Sequence, residues 1–178
     1  MKKFHKFYIA AALCTCILLA GSIAFYQHTA AYHGSDQASR EKCLDQAIHP
    51  SKGTNWSIAS ELKLADYIIS GAYGTNNKAV LAVFQPSGKN SYKCMTSLNR
   101  EKDDILIDHI YIDGTFYMIC WFPGAPTEYA EITYTIHGRE QEPIKYDTKN
   151  FSITASPAPC KNYSAEIIYY DKDGQKYE

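Results

Sequence analysis

The apolar and polar positions fall into two patterns along the chain. Phe7 to Tyr26 (FYIAAALCTCILLAGSIAFY) is a run of twenty residues without a charge. As a helix rising ~1.5 Å per residue it would be about 30 Å long, the thickness of a bilayer's hydrocarbon core. From Ile58 onward, short β-branched and aromatic runs alternate with turn clusters roughly every 8–12 residues, the spacing of an antiparallel sandwich or barrel. Tyr67–Tyr73, Ala79–Gln85 and Tyr92–Leu98 are three such runs. Asp113-Gly114 between Ile105–Ile112 and Thr115–Phe122 predicts a two-residue type I′ hairpin. Glu128–His137 alternates most regularly, with Ile132, Tyr134 and Ile136 on one side and Thr133, Thr135 and His137 on the other. Ile144–Tyr146, Phe151–Ala155, Ala165–Tyr170 and Gln175–Tyr177 follow. One stretch reads both ways: Ile58, Leu62, Ala65 and Ile69 also fit one helical face, so Ser57–Leu64 is compatible with a helix.

Between the two patterns, Gln27–Gly34 reads as a stalk. Ser35–His49 reads as a short helix with Ser35 or Asp36 as N-cap, stopped by Pro50. The expected fold is therefore mainly β, an antiparallel β-sandwich (immunoglobulin-like or related) preceded by an N-terminal transmembrane helix and a short helix. Its divisions are 1–26 as membrane anchor or signal peptide, 27–57 as stalk and short helix, and 58–178 as an extracytoplasmic β-domain of about nine or ten strands.

Charge assigns the compartment. Lys2, Lys3 and Lys6 flank the apolar run on one side only, which keeps the N-terminus inside and places the β-domain outside a single-pass span. Secretion after cleavage is the alternative, with small residues at Ser22/Ala24 and Thr29/Ala31. Both readings make Cys43, Cys94, Cys120 and Cys160 an even set in an exported domain, hence two disulfides. Three connectivities are open, and Cys43–Cys94 with Cys120–Cys160 is favoured. A net charge of −1 over 178 residues leaves no basic excess for nucleic acid, and 13% aromatic content does not suit disorder.

Catalytic chemistry has little to build on. No G-x-S-x-G elbow, H-x-H or H-E-x-x-H spacing occurs, and Asp171-Lys172-Asp173-Gly174 lacks the later ligands of a calcium loop. No cofactor or metal is expected. His109 or His137 with Cys120 or Cys160 would suit a sortase-like thiol enzyme, but the residues before Cys160 are Ser156-Pro157-Ala158-Pro159, unlike that family's strand end. Alternation puts Tyr117, Ile119 and Trp121 on one face of their strand, so Tyr117 and Trp121 are the candidate binding platform; the competing use of these rings is a core.

The layout Ile110-Tyr111-Ile112-Asp113-Gly114, Tyr117–Trp121, a Pro-x-x-Pro turn, Glu131–Ile136, Asn150-Phe151 and Ile168–Gly174 is similar to a set of uncharacterised small anchored or exported β-domain proteins of Gram-positive bacteria. The resemblance covers roughly residues 58–178, implies an envelope-facing β-domain, and carries no catalytic residue. The expected function is a non-enzymatic, membrane-anchored extracytoplasmic protein that binds a protein, peptide or cell-wall polymer. The alternatives are a thiol-dependent envelope enzyme and a regulatory subunit that pairs with another membrane protein.

Overall fold

The computed structural model describes residues 33–48, 55–75, 77–160 and 162–177. Among the described residues one α-helix, α1 (Gln37–Ala47), precedes twelve strands, with a short 3-10 turn at Lys149–Phe151. These are β1 (Trp56–Leu64), β2 (Tyr67–Gly74), β3 (Lys78–Gly88), β4 (Ser91–Glu101), β5 (Leu106–Ile112), β6 (Thr115–Trp121), β7 (Tyr129–Ile136), β8 (Arg139–Glu140), β9 (Ile144–Asp147), β10 (Thr154–Pro157), β11 (Ser164–Tyr170) and β12 (Lys176–Tyr177). Every pairing is antiparallel.

The strands form three sheets. The first is the meander β1-β2-β3-β4, the second has the order β10-β6-β5, and the third has the order β12-β11-β7 with β8 and β9 both on β7. The buried clusters show how they stack. Leu44 and Cys43 of α1 pack on Trp56, Ile58, Ala72, Val80, Ala82 and Phe84, covering the outer face of the first sheet. The alternate residues Ile69, Leu81 and Val83 meet Leu106, Ile110, Ile119 and Trp121 of the second sheet. The other face of that sheet gives Met118 and Cys120 to Ile132 and Tyr134 of the third. The order of layers is helix, sheet, sheet, sheet.

The fold is mainly β, antiparallel and sandwich-like, and among the described residues it stacks three sheets where an immunoglobulin-like sandwich has two. The physical reason lies in β3 and β6, which are apolar at consecutive positions: Ala79 to Phe84 are all buried, as are Met118 to Trp121. Such runs bury both faces of a strand, so each sheet needs a cover on either side. The transmembrane helix is corrected. Among the described residues no helix is long and apolar enough to cross a membrane, and α1, at eleven residues, spans only about 16 Å. The run Phe7–Tyr26 and the stalk lie outside the described residues. The single-pass topology, the membrane as partner and the anchored function have no span here to rest on and are not carried further.

Local chemistry explains the elements that hold the layers in place. Asp36 caps α1, its carboxylate accepting from the Ser39 amide at 2.7 Å. Asp113 and Gly114 take φ of 48° and 84°, the left-handed pair that a type I′ hairpin requires, and align Ile112 with Thr115. The stretch that read as helix or strand is β1. A bulge between Ile58 and Ser60 turns Trp56 and Ile58 toward α1 but Leu62 and Leu64 toward the second sheet. One extra residue inside a strand thus imitates the i, i+4 spacing of a helix. A second bulge leaves Met95 unpaired between Cys94, opposite Phe84, and Thr96, opposite Val83.

Candidate functional site

Among the described residues no disulfide forms; the four cysteines expected to pair are thiols. Cys43 of α1 and Cys94 of β4 line one cavity of about 540 Å³ between helix and sheet, with His33, Tyr92 and Lys93 on its wall. Burial raises the Cys43 thiol above its usual range and pushes Cys94 up to about 11, the neighbouring Cys43 adding to the latter. Cys120 lies in the interior of β6, where burial pushes it up to about 12. Cys160 sits in the turn before β11, its thiol donating to the Asn162 carbonyl at 3.0 Å. A buried strand position and a turn with its own local partner do not bring these last two sulfurs together.

Burial raises Cys43, Cys94 and Cys120 and so disfavours their thiolates, the form in which a thiol is a nucleophile. His109 is engaged elsewhere, and His137 occupies the left-handed turn position (φ 51°) between β7 and β8. Among the described residues no group of three or more His, Cys, Asp and Glu could hold a metal ion.

Tyr117 and Trp121 do not form a platform. Trp121 is fully buried between the first and second sheets, its indole N–H donating to the Phe151 carbonyl at 2.8 Å, and Tyr117 packs against the same core. The exposed rings of that hairpin are on the opposite face. Ile107 and Tyr111 of the edge strand β5, 40% and 66% exposed, form an apolar strip with Phe116 of β6, 36% exposed and opposite Tyr111.

The strip is open because the third sheet is too narrow to cover it. β11 pairs with β7 along its whole length, from Ser164 to Tyr170, whereas β12 pairs only with Tyr169 and Tyr170. Among the described residues, the outer edge of β11 from Ser164 to Ile168 has no strand partner. Where a further strand would lie there is a groove of about 440 Å³. Its walls are Ile107 and His109 of β5, Phe116 and Met118 of β6, and Tyr163, Ala165 and Ile167 on the β11 side. A smaller cavity of about 290 Å³ continues along the same edge past Glu166, Ile168 and Lys176.

One polar pair stands in this apolar wall. A ring nitrogen of His109 (Nε2) and the Tyr163 hydroxyl share a hydrogen bond of 2.8 Å across the groove. His109 is held by stacking on Phe116, with centroids 5.4 Å apart and planes 12° from parallel. Tyr163 is held edge-on against Tyr134 at 5.2 Å, and burial raises its hydroxyl above the usual range. Behind Tyr134, Ser156 accepts hydrogen bonds from the Tyr134 and Tyr146 hydroxyls at 2.9 and 2.6 Å, which fixes the back wall.

The alternation along the Asp113-Gly114 hairpin separates Phe116 and Met118 from Tyr117 and Trp121, but not which set faces a core. Nothing in the sequence near Ser164 marks an unpaired edge, because that depends on how far β12 reaches. Comparison with protein-family models, with curated proteins and with solved structures finds no match to this chain, so the seam between the second and third sheets rests on its own geometry.

Proposed function

We propose that the domain is a binding module whose seam takes an apolar group carrying one hydrogen-bonding handle. The observation that supports this reading is the exposed Ile107–Phe116 strip facing Ala165 and Ile167 across a groove of about 440 Å³, with His109 and Tyr163 as its polar pair. Small-ligand sites are typically concavities of ~300–1,000 Å³, mostly apolar with a few placed polar groups. Each ring of the polar pair is positioned by another ring behind it, so a ligand's donor or acceptor meets a set geometry rather than a mobile side chain.

The methionines provide the test. Met118 lines the groove, while Met95, exposed on β4, is not among its lining residues. With ¹³C-methyl methionine, titration with indole, a ring with one N–H donor, shifts the Met118 methyl resonance saturably and leaves Met95 in place. Phe116→Ala weakens the response several-fold. A Met118 resonance unmoved at millimolar indole, or one moving no more than Met95, overturns the reading.

A further inference from the structure

We infer that the natural occupant of the seam is an extended peptide strand that pairs with the open edge of β11, with apolar side chains at alternate positions and a cationic residue opposite Glu166; this rests on the seam being a binding site. A groove between two sheets would by itself accept many apolar groups. Two further features narrow the choice.

The first is the backbone. Ser164 to Ile167 run along the edge away from β7, in line with the two-residue β12, and alternate residues turn their N–H and C=O groups outward there. Opposite Ser164 to Ile167 a four-residue strand would extend about 14 Å at ~3.4 Å per residue, in line with β12. The two cavities lie along the same edge and share Ile167, so they describe one trough and not two separate sites. Successive residues of an added strand point alternately to the two faces of the sheet. Those opposite Ala165 and Ile167, which face inward, therefore enter the groove over Phe116 and Met118. Those opposite Ser164 and Glu166 face outward.

The second is charge. Glu166 is exposed within the open segment, and opposite charges directly across a ladder are favourable whereas like charges are not. A symmetric pairing of two copies of this chain, centred at this residue, would set Glu166 against Glu166. The edge is thus poorly suited to itself and suited to a strand with Lys or Arg at its centre. The mode is β-strand addition, in which main-chain hydrogen bonds give affinity and pockets for alternate side chains give specificity.

The probe is a blocked peptide of alternating threonine and valine with lysine at the central outward position, titrated into protein labelled with ¹⁵N and with ¹³C-methyl methionine. The expected result is saturable movement of the Ala165, Glu166 and Ile167 amides together with the Met118 methyl, abolished when the same peptide is N-methylated along its pairing edge. Glu166→Lys weakens the peptide about tenfold, as an attractive cross-strand pair becomes a repulsive one, and a peptide with glutamate in place of the lysine recovers the loss. If indole moves Met118 but the peptide moves neither the methyl nor the amides, the strand inference falls and the seam reading stands. If the N-methylated peptide binds equally well, the strand inference also falls. If neither indole nor peptide moves Met118, both readings fall.

Discussion

Gly71 shows at the scale of one residue how closely the layers approach. It lies in β2 facing the second sheet, and a Cβ built on it would sit 2.7 Å from the Trp121 ring. The indole is fully buried and anchored through its N–H to Phe151, so it has little room to give. Overpacking a filled core typically costs ~1–3 kcal/mol. Gly71→Ala is expected to lower stability by about 2 kcal/mol in urea unfolding, with an unchanged denaturant slope. An alanine variant as stable as the parent would mean that Trp121 is not held where the structure places it. The same packing removes Trp121 from the list of surface rings. A tryptophan on an alternating strand looks the same in sequence whether its face meets solvent or another sheet.

At the scale of elements, α1 is tied to the first sheet by an ion pair buried on its arginine side as well as by Leu44. Arg40 has a side chain only 7% exposed; it donates twice to the Glu61 carboxylate, at 2.7 Å each, and once to the Gly34 carbonyl at 2.9 Å. Ser70 donates to the same carboxylate at 2.7 Å. The β1 bulge makes this contact possible, because it moves Glu61 onto the helix-facing side, opposite Ser70. Removing the arginine leaves a partly exposed carboxylate short of partners, at a cost of about 1–2 kcal/mol. Arg40→Ala should therefore destabilise by about that amount, and Arg40→Ala with Glu61→Gln should recover part of it, since the unpaired charge is then gone. A double variant no better than the single one would assign the loss to packing of the arginine stem. The helix and its Asp36 cap are legible in the sequence. The bulge that delivers Glu61 is not, because an inserted strand residue is visible only against the strand it pairs with.

For the whole molecule, the layered core sets the pH range of stability. Burial pushes Cys120 up to about 12, Cys94 to about 11 and Tyr134 to about 12, and lifts Tyr169 well above the tyrosine range. In the unfolded chain thiols ionise near 9 and tyrosines near 10. Below pH 9 both states hold these protons and the groups add no pH dependence. Above it the unfolded state releases protons that the folded state keeps, so stability falls as pH rises from about 9 toward 12, by up to ~1.4 kcal/mol per pH unit for each such group. Urea unfolding at pH 7, 9 and 10.5 should give similar stability at the first two and a marked loss at the third. Cys120→Ala should make the alkaline slope shallower. A slope unchanged by that substitution would mean that Cys120 is not buried as a thiol between the sheets.

By itself the sequence determines the local events whose causes lie within a few residues. These are the capped helix after Asp36, the left-handed Asp113-Gly114 turn, the alternation of β7, and the predominance of strands after Ile58. Propensity, turn chemistry and period act over such distances and need no partner. Among the described residues, only the tertiary structure decides that three sheets stack, that no disulfide joins the cysteines, and that Trp121 lies inside while Phe116 lies at the surface. It also decides that, among the described residues, β12 pairs with only Tyr169 and Tyr170 of β11 and the rest of that edge lies unpaired above an apolar strip. Each of these depends on which strand lies beside or above another, and that is settled by burial between residues far apart in the chain.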